Sequence, residues 1–189
     1  MNVPREILTD RLRLRCHTLE DLEPFATFLE DPESTRYMPF TDEQKTRDGA
    51  EQMLSYVILS YDSDDPICSL TIADRRTDEY LGSCGLSPDQ DGVELYYTLL
   101  APHRGQGFAT EAASALLQYL WETTNTHRAV AHVMPENEAS VRVAQRLGFI
   151  DAGPIERTVA TGDIQHEFLQ GRRMTLDRPP CRSIPQPGD

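Results

Sequence analysis

The sequence predicts an α+β domain, or equally a mixed-sheet α/β one, with helices packed on a central sheet. Three observations predict it. Short runs with the two-residue period of strands are interspersed with four longer stretches of helical spacing. Their order is strand, two helices, a three-strand meander, helix, strand, helix and two strands, so helices do not alternate strictly with strands. Two glycines one residue apart, Gly105 and Gly107, stand where a strand gives way to a helix.

The elements follow in chain order. Leu12 and Leu14 alternate with Arg11, Arg13 and Arg15, the pattern of a half-buried opening strand with a basic outer face. Thr18 then reads as an N-cap, followed by the acidic turn Glu20-Asp21 and an early Pro24. Leu22, Phe25, Phe28 and Leu29 recur at helical spacing, and Asp31-Pro32 stops that helix. A second helix is expected over Thr41 to Tyr61, with Ala50, Met53, Leu54, Val57, Ile58 and Tyr61 as its apolar stripe. Ile67 to Ala73 and Tyr80 to Leu86 read as a hairpin around the polar turn Arg75 to Glu79. Asp89-Gln90-Asp91-Gly92 turns the chain into a strand over Val93 to Leu100.

A helix over Phe108 to Trp121 would bury Ala112, Ala115, Leu116, Tyr119 and Leu120. Arg128 to Met134 is the next strand. The helix Glu138 to Leu147 opens at the cap Asn137 and closes at Gly148, with Phe149 beyond it. Two strands, near Ile155 to Ala160 and His166 to Leu176, complete a single domain over residues 1–177. Residues 178–189 hold four prolines and no apolar period, which predicts a disordered tail.

Composition narrows the function. The 189 residues suffice for one well-packed domain, and 39% hydrophobic content is ordinary for a globular protein. There is no run of eighteen apolar residues and no secretory leader, so the expectation is a cytoplasmic protein that does not span a membrane. Cys16, Cys68, Cys84 and Cys181 lie far apart and read as reduced thiols rather than metal ligands. A net charge of −13 argues against a nucleic-acid partner, which requires a basic surface, and favours cationic partners such as an amine or a basic peptide. Acidity for solubility alone gives the same composition.

The run from His103 to Ala112 carries the chemistry. Gly105 and Gly107 let the backbone approach a ligand and turn several N–H groups the same way. The helix beginning at Phe108 adds its unsatisfied amides and its positive end, and Arg104 adds a forked cation. The result reads as a cradle for a phosphate or pyrophosphate. It is not a Walker loop, because Phe108 follows Gly107 where Lys is required. Nor is it a dinucleotide fingerprint: Thr110 holds the third small-residue position, and His127-Arg128-Ala129 stand where an acidic residue should end the next strand.

The pattern Arg-x-x-Gly-x-Ala at Arg104, Gly107 and Ala109 resembles the acetyl-coenzyme A loop of the GNAT superfamily of N-acetyltransferases. The run Asn137 to Phe149, with Asn137, Ser140 and Leu147-Gly148-Phe149, is similar to the helix that closes that family's cofactor site. Leu8 to Arg15, Gly82 to Leu86 and Glu94 to Tyr97 resemble in particular the Rim-type branch, whose named members acetylate the N-termini of ribosomal proteins. The likeness runs from about Ile7 to Leu176. It implies a mostly antiparallel twisted sheet, splayed at the cofactor site and flanked by helices.

The resemblance also implies roles. Backbone groups of Leu99 and Leu100 would hold the pantetheine arm of acetyl-coenzyme A. The amides of Arg104, Gly105, Gln106, Gly107, Phe108 and Ala109 would receive its pyrophosphate. Asn137 would bond the pantetheine, although the same residue serves equally as a plain N-cap. Arg142 and Arg146 would face the nucleotide end or simply solvent. No metal is implied.

The reaction would be direct attack of a neutral primary amine on the thioester, with the first acceptor a protein or peptide N-terminus. A small amine such as an amino acid, polyamine or aminoglycoside, or a non-catalytic acyl-coenzyme A sensor, remains as an alternative. Many family members carry a tyrosine as general acid seven residues after the asparagine; Ala144 stands there. Ser140, one turn earlier, would then orient or protonate the sulfur, and Glu94 would be the general base. Tyr97, His103 and His132 are secondary candidates. Homodimers occur in that branch, and the first two helices would wall the acceptor side.

Overall fold

The computed structural model describes residues 2–161 and 165–180. The elements are β1 (Glu6–Leu8), β2 (Leu12–Cys16), α1 (Leu22–Glu30), α2 (Pro32–Thr35), α3 (Arg47–Ser60), β3 (Cys68–Asp74), β4 (Tyr80–Asp89), β5 (Gly92–Leu99), α4 (Phe108–Thr123), β6 (Arg128–Val133), α5 (Glu138–Arg146), β7 (Ile150–Thr161) and β8 (Gln165–Asp177). All eight strands form one sheet in the order β1-β2-β3-β4-β5-β6-β8-β7. Every neighbouring pair is antiparallel except β5 and β6. This is the mixed, mostly antiparallel sheet with flanking helices that the sequence predicts.

Period-two patterning places the main core on one sheet face. Leu14, Leu70, Cys84, Leu86, Leu95 and Leu99 meet Ala112, Leu116 and Leu120 of α4, all buried. The other face is different. There α1 and α3 pack together around Phe28, Leu29 and Ala50, and the sheet beneath presents Ser69, Thr71 and Ser83, likewise buried. His17 bridges two of them, with Nε2 3.0 Å from Ser69 Oγ and Nδ1 2.7 Å from Thr71 Oγ1. Asp21 accepts from Thr71 Oγ1 at 2.9 Å and from both terminal nitrogens of Arg15 at 2.8 and 2.9 Å. The buried side chains of His17, Asp21, Ser69 and Thr71 are therefore partnered, which removes most of their desolvation cost.

Several boundaries depart from the sequence pattern, each for a local reason. The second helix begins at Arg47 rather than Thr41, because the Thr46 hydroxyl accepts the Gly49 N–H and caps it there. Pro32 ends α1 but also opens the short α2, with Asp31 accepting from the amides of Glu33 and Ser34. Arg15, expected on a solvated face, has only 12% of its side chain exposed because Asp21 and Asp78 pair with it. The β1 strand has no alternating pattern and went unpredicted. Arg178, expected within a disordered tail, is anchored: its N–H donates to His127 O at 2.8 Å and its guanidinium to Thr124 O at 2.9 Å. The rest of that expected tail, from residue 181 onward, lies outside the described residues.

Candidate active site

The site arises where the sheet fails to close. The parallel ladder between β5 and β6 consists of two facing positions, Val93 with Ala129 and Glu94 with Val130. Beyond them β5 continues to Leu99 and β6 to Val133 without pairing with each other, so a V-shaped cleft opens toward their C-terminal ends. The two helices that follow these strands, α4 and α5, begin at the two lips. The backbone along the β5 lip has a definite direction. The Leu100 N–H donates to Leu81 O at 2.9 Å, and Leu99 faces Gly82 one step before that bonded position. By the alternation of an antiparallel ladder, the Leu99 N–H and C=O are directed away from β4 and toward the cleft. The Leu100 amide is committed to β4, so of the two predicted backbone contacts Leu99 is the one that faces the opening.

At the β5 lip, Gly105 and Gly107 have φ of +76° and +83°, a region costly for other residues. A Cβ on Gly105 would meet nothing within 4 Å, so the loop surface there is open. Gly107 is the N-cap of the sixteen-residue α4, and no side chain caps that end. The Thr110 hydroxyl in the first turn is buried with no hydrogen-bond partner among the described residues. Open backbone, uncapped amides and an orphaned hydroxyl together fit an anionic ligand such as the pyrophosphate of acetyl-coenzyme A. The Arg104 side chain, expected to add charge to this cradle, is used otherwise: Nε donates to Leu99 O at 3.0 Å and Nη2 to Ser34 Oγ at 2.6 Å. It ties the lip to α2.

At the other lip, Asn137 Oδ1 accepts the Ser140 N–H at 3.1 Å and caps α5, which leaves the amide nitrogen of Asn137 as a donor. Tyr37, just after α2, lies with its hydroxyl 3.4 Å from Glu136 O. The segment after α1 thus touches both lips, through Ser34 on one side and Tyr37 on the other. Arg142 pairs with Glu138 at 2.9 Å. Arg146 lines an open cavity of about 600 Å³ between α4, α5 and the end of β8, together with Thr110, Ser114 and Trp121.

Two polar groups stand at the cleft. On the face of α4 and α5, the Tyr97 hydroxyl lies 3.1 Å from both Ser140 O and Ser140 Oγ. Burial raises the Tyr97 pKa, only partly offset by its bond to Ser140, so the phenol stays protonated near neutrality. Ala144 is fully buried. On the opposite face, Glu94 Oε1 lies 2.9 Å from His132 Nδ1, with side-chain exposures of 14% and 12%. His132 Nε2 is 3.9 Å from Asp89 Oδ2, and Asp89 is held in turn by Arg173 at 2.6 Å. That guanidinium and neighbouring groups hold the Asp89 carboxyl below its ordinary range despite burial, which acts the other way. In a continuous sheet Glu94 and Tyr97 would be separated by the backbone layer. The parting of β5 and β6 opens a passage between their faces.

Sequence reasoning named Glu94 and Ser140 but not the partners that the fold supplies. Tyr97 and His132 are the secondary candidates of the sequence, whereas Asp89 and Arg173 carry no local signal that would single them out. His103 stands apart, 3.8 Å from Glu79. Among the described residues no group of three or more His, Cys, Asp or Glu side chains is placed to hold a metal ion, and no helix is long and apolar enough to cross a membrane.

A splayed mixed sheet with an anion-receiving helix end at its lip defines a class of acyl-group transferases. The model of the acetyltransferase (GNAT) domain matches residues 11–150, and the chain belongs to that family. It is 36% identical over 153 residues to the uncharacterized N-acetyltransferase p20 of Bacillus licheniformis, across 78% of this chain and 83% of that protein. Solved structures share the fold. Spermidine N-acetyltransferase from Vibrio cholerae, solved with CoA and spermine, superposes with a TM-score of 0.71 at 20% identity, covering 89% of this chain and 96% of that one. Ribosomal-protein-S5-alanine acetyltransferase from Vibrio fischeri gives 0.71 at 16% identity, covering 91% and 96%. The chain is therefore an acetyl-coenzyme A-dependent N-acetyltransferase whose acceptor is an amine.

Proposed function

We propose that this enzyme acetylates the α-amine of a protein or peptide N-terminus, in the manner of the Rim-type branch. The single observation that carries the proposal is the cleft between β5 and β6, with a carboxylate–imidazole pair on one face and a part-buried hydroxyl pair on the other. The Leu99 backbone and Asn137 would hold the pantetheine arm across the two lips. The amides from Arg104 through Ala109 would receive the pyrophosphate, and the cavity beside Arg146 suits the nucleotide end. Acetyl-coenzyme A supplies an acetyl group activated as a thioester.

Glu94 Oε1 accepts a proton from the incoming ammonium, and His132 Nδ1–H steadies that carboxylate. An α-amine with a pKa of roughly 8 gives up its proton with modest help, whereas a lysine amine at about 10.4 needs a much stronger base. A single half-buried carboxylate suits the α-amine better. On the far side of the cleft, the Tyr97 phenol and the Ser140 hydroxyl hold the proton that a departing thiolate needs, in place of the tyrosine that Ala144 displaces. The segment after α1 narrows the cleft at both lips, which suits an extended chain end threaded beneath it. The net charge of −13 favours a basic acceptor.

Free-thiol release from acetyl-coenzyme A tests the reading against N-terminal peptides, free amino acids, polyamines and aminoglycosides. An Asn137→Ala, Gly107→Glu double variant is the inactive control. Peptides with basic residues after a free N-terminus should give the highest kcat/KM. Turnover confined to polyamines or aminoglycosides would replace this acceptor with a small amine. No thiol release from any acceptor, with CoA still bound in calorimetry, would leave a non-catalytic acyl-coenzyme A binder.

A further inference from the structure

We infer that Arg11, just before β2, is a positioning residue that sets the α4 loop in its anion-receiving form and neutralises the Glu111 carboxylate beside it. The inference rests on the reading of that loop as the pyrophosphate site. Arg11 lies along one segment of the loop. Its Nε donates to Glu111 Oε2 at 2.7 Å and Nη2 lies 2.6 Å from the same oxygen. Its Nη1 donates to Gln106 O at 3.0 Å, and the guanidinium carbon stands 4.6 Å above the Phe108 ring centroid. The Arg11 backbone N–H and the Thr9 hydroxyl both donate to Glu111 Oε1, at 3.0 and 2.6 Å. A Cβ built on Gly107 would lie 3.5 Å from Arg11 Nη2, so the guanidinium borders the loop itself.

Two consequences follow from this geometry. A trans peptide points its C=O and its N–H in opposite directions. With the Gln106 carbonyl fixed on Arg11, the Gly107 N–H is turned to the other side, where a ligand could meet it. The second consequence is electrostatic. Glu111 lies in the first turn of α4, where a carboxylate stabilises the helix but repels an anion at the same end. Arg11 pairs with that carboxylate and cancels the repulsion that an unpaired Glu111 would exert on an anion there. Arg104 keeps its charge, since the Leu99 carbonyl and Ser34 hydroxyl are neutral acceptors.

NMR titrations with CoA and with pantetheine, which lacks the phosphates, test this without any acceptor. Wild type should bind CoA the more tightly. Arg11→Met keeps the stem but loses charge and donors; it should weaken CoA roughly tenfold or more, the worth of a charged hydrogen bond, and leave pantetheine unchanged. Glu111→Gln in the Arg11→Met background should recover part of the loss, by removing the uncompensated carboxylate. Arg11→Lys retains the charge without the fork and should fall between, which keeps the test available if the methionine variant does not fold. Equal weakening of both ligands, or unchanged CoA affinity, would overturn the role of Arg11. A wild type that binds CoA no better than pantetheine would overturn the pyrophosphate reading of the loop instead.

Discussion

Acidification should destabilise this protein through His17 before any carboxylate is involved. His17 is 5% exposed and sits between Ser69 and Thr71, near Asp21, Arg15 and Tyr61. Burial lowers its pKa from 6.5 to about 4, against the opposing pull of Asp21 and with a further push from Arg15. The unfolded chain therefore binds more protons than the native one between these values, so stability falls as pH drops through this window. The contribution is complete above pH 6.5. Worked from the two pKa values, the loss is about 2 kcal/mol between pH 7 and pH 5 and about 3 kcal/mol by pH 4. With a urea m-value of about 2 kcal/mol per molar, the midpoint should fall by about 1 M between pH 7 and pH 5. Asp21, whose carboxyl is held below its ordinary range despite burial by bonds from Arg15, Thr18 and Thr71, acts lower down. Its stabilisation is present above its unfolded pKa and lost as pH falls through the native one. The assay is urea unfolding of wild type and His17→Gln at pH 7, 6 and 5. The variant should start lower, for want of the ring packed near Phe25, and change little across that range. A wild-type midpoint that stays level from pH 7 to pH 5, or a His17 ring titrating near 6.5 by NMR, would refute the reasoning.

Three further outcomes are expected at the site and in the core. Glu94→Gln should lower kcat/KM by about 10²- to 10³-fold in thiol-release assays, with the deficit shrinking as pH rises and the acceptor deprotonates unaided. Tyr97→Phe should cost between about 10- and 100-fold in kcat, at the low end for a general acid because a thiolate of pKa near 8.5 leaves with little help. The Ser140→Ala effect should not add to it, since the two hydroxyls share one hydrogen bond. Leu116→Ala, at a fully buried position of α4, should cost about 2–5 kcal/mol and lower Tm by roughly 5–15 °C in a thermal melt.

The parts of this protein legible in its sequence are those written in local physical chemistry. Leu12 and Leu14 alternate, Ala112, Leu116 and Leu120 recur at helical spacing, Asn137 caps and Gly148 stops α5, and Gly105 and Gly107 mark a turn that only glycine adopts at little cost. These features define strands, helices and a glycine turn whatever surrounds them, because each depends on neighbours within a few positions. The site's working contacts lie elsewhere. Tyr97 meets Ser140 across 43 positions, His132 meets Glu94 across 38, Arg104 meets Ser34 across 70 and Arg11 meets Glu111 across 100. No periodicity or capping rule reports such pairs. Arg104 shows the limit well: its motif is local and readable, but the direction of its guanidinium depends on where α2 comes to rest. Local patterning was enough for the order of the main strands and helices, though not for β1 or the short α2. The splay was implied by the family resemblance, but its position after Glu94, and the side chains it brings together, depend on long-range strand pairing that no local pattern encodes.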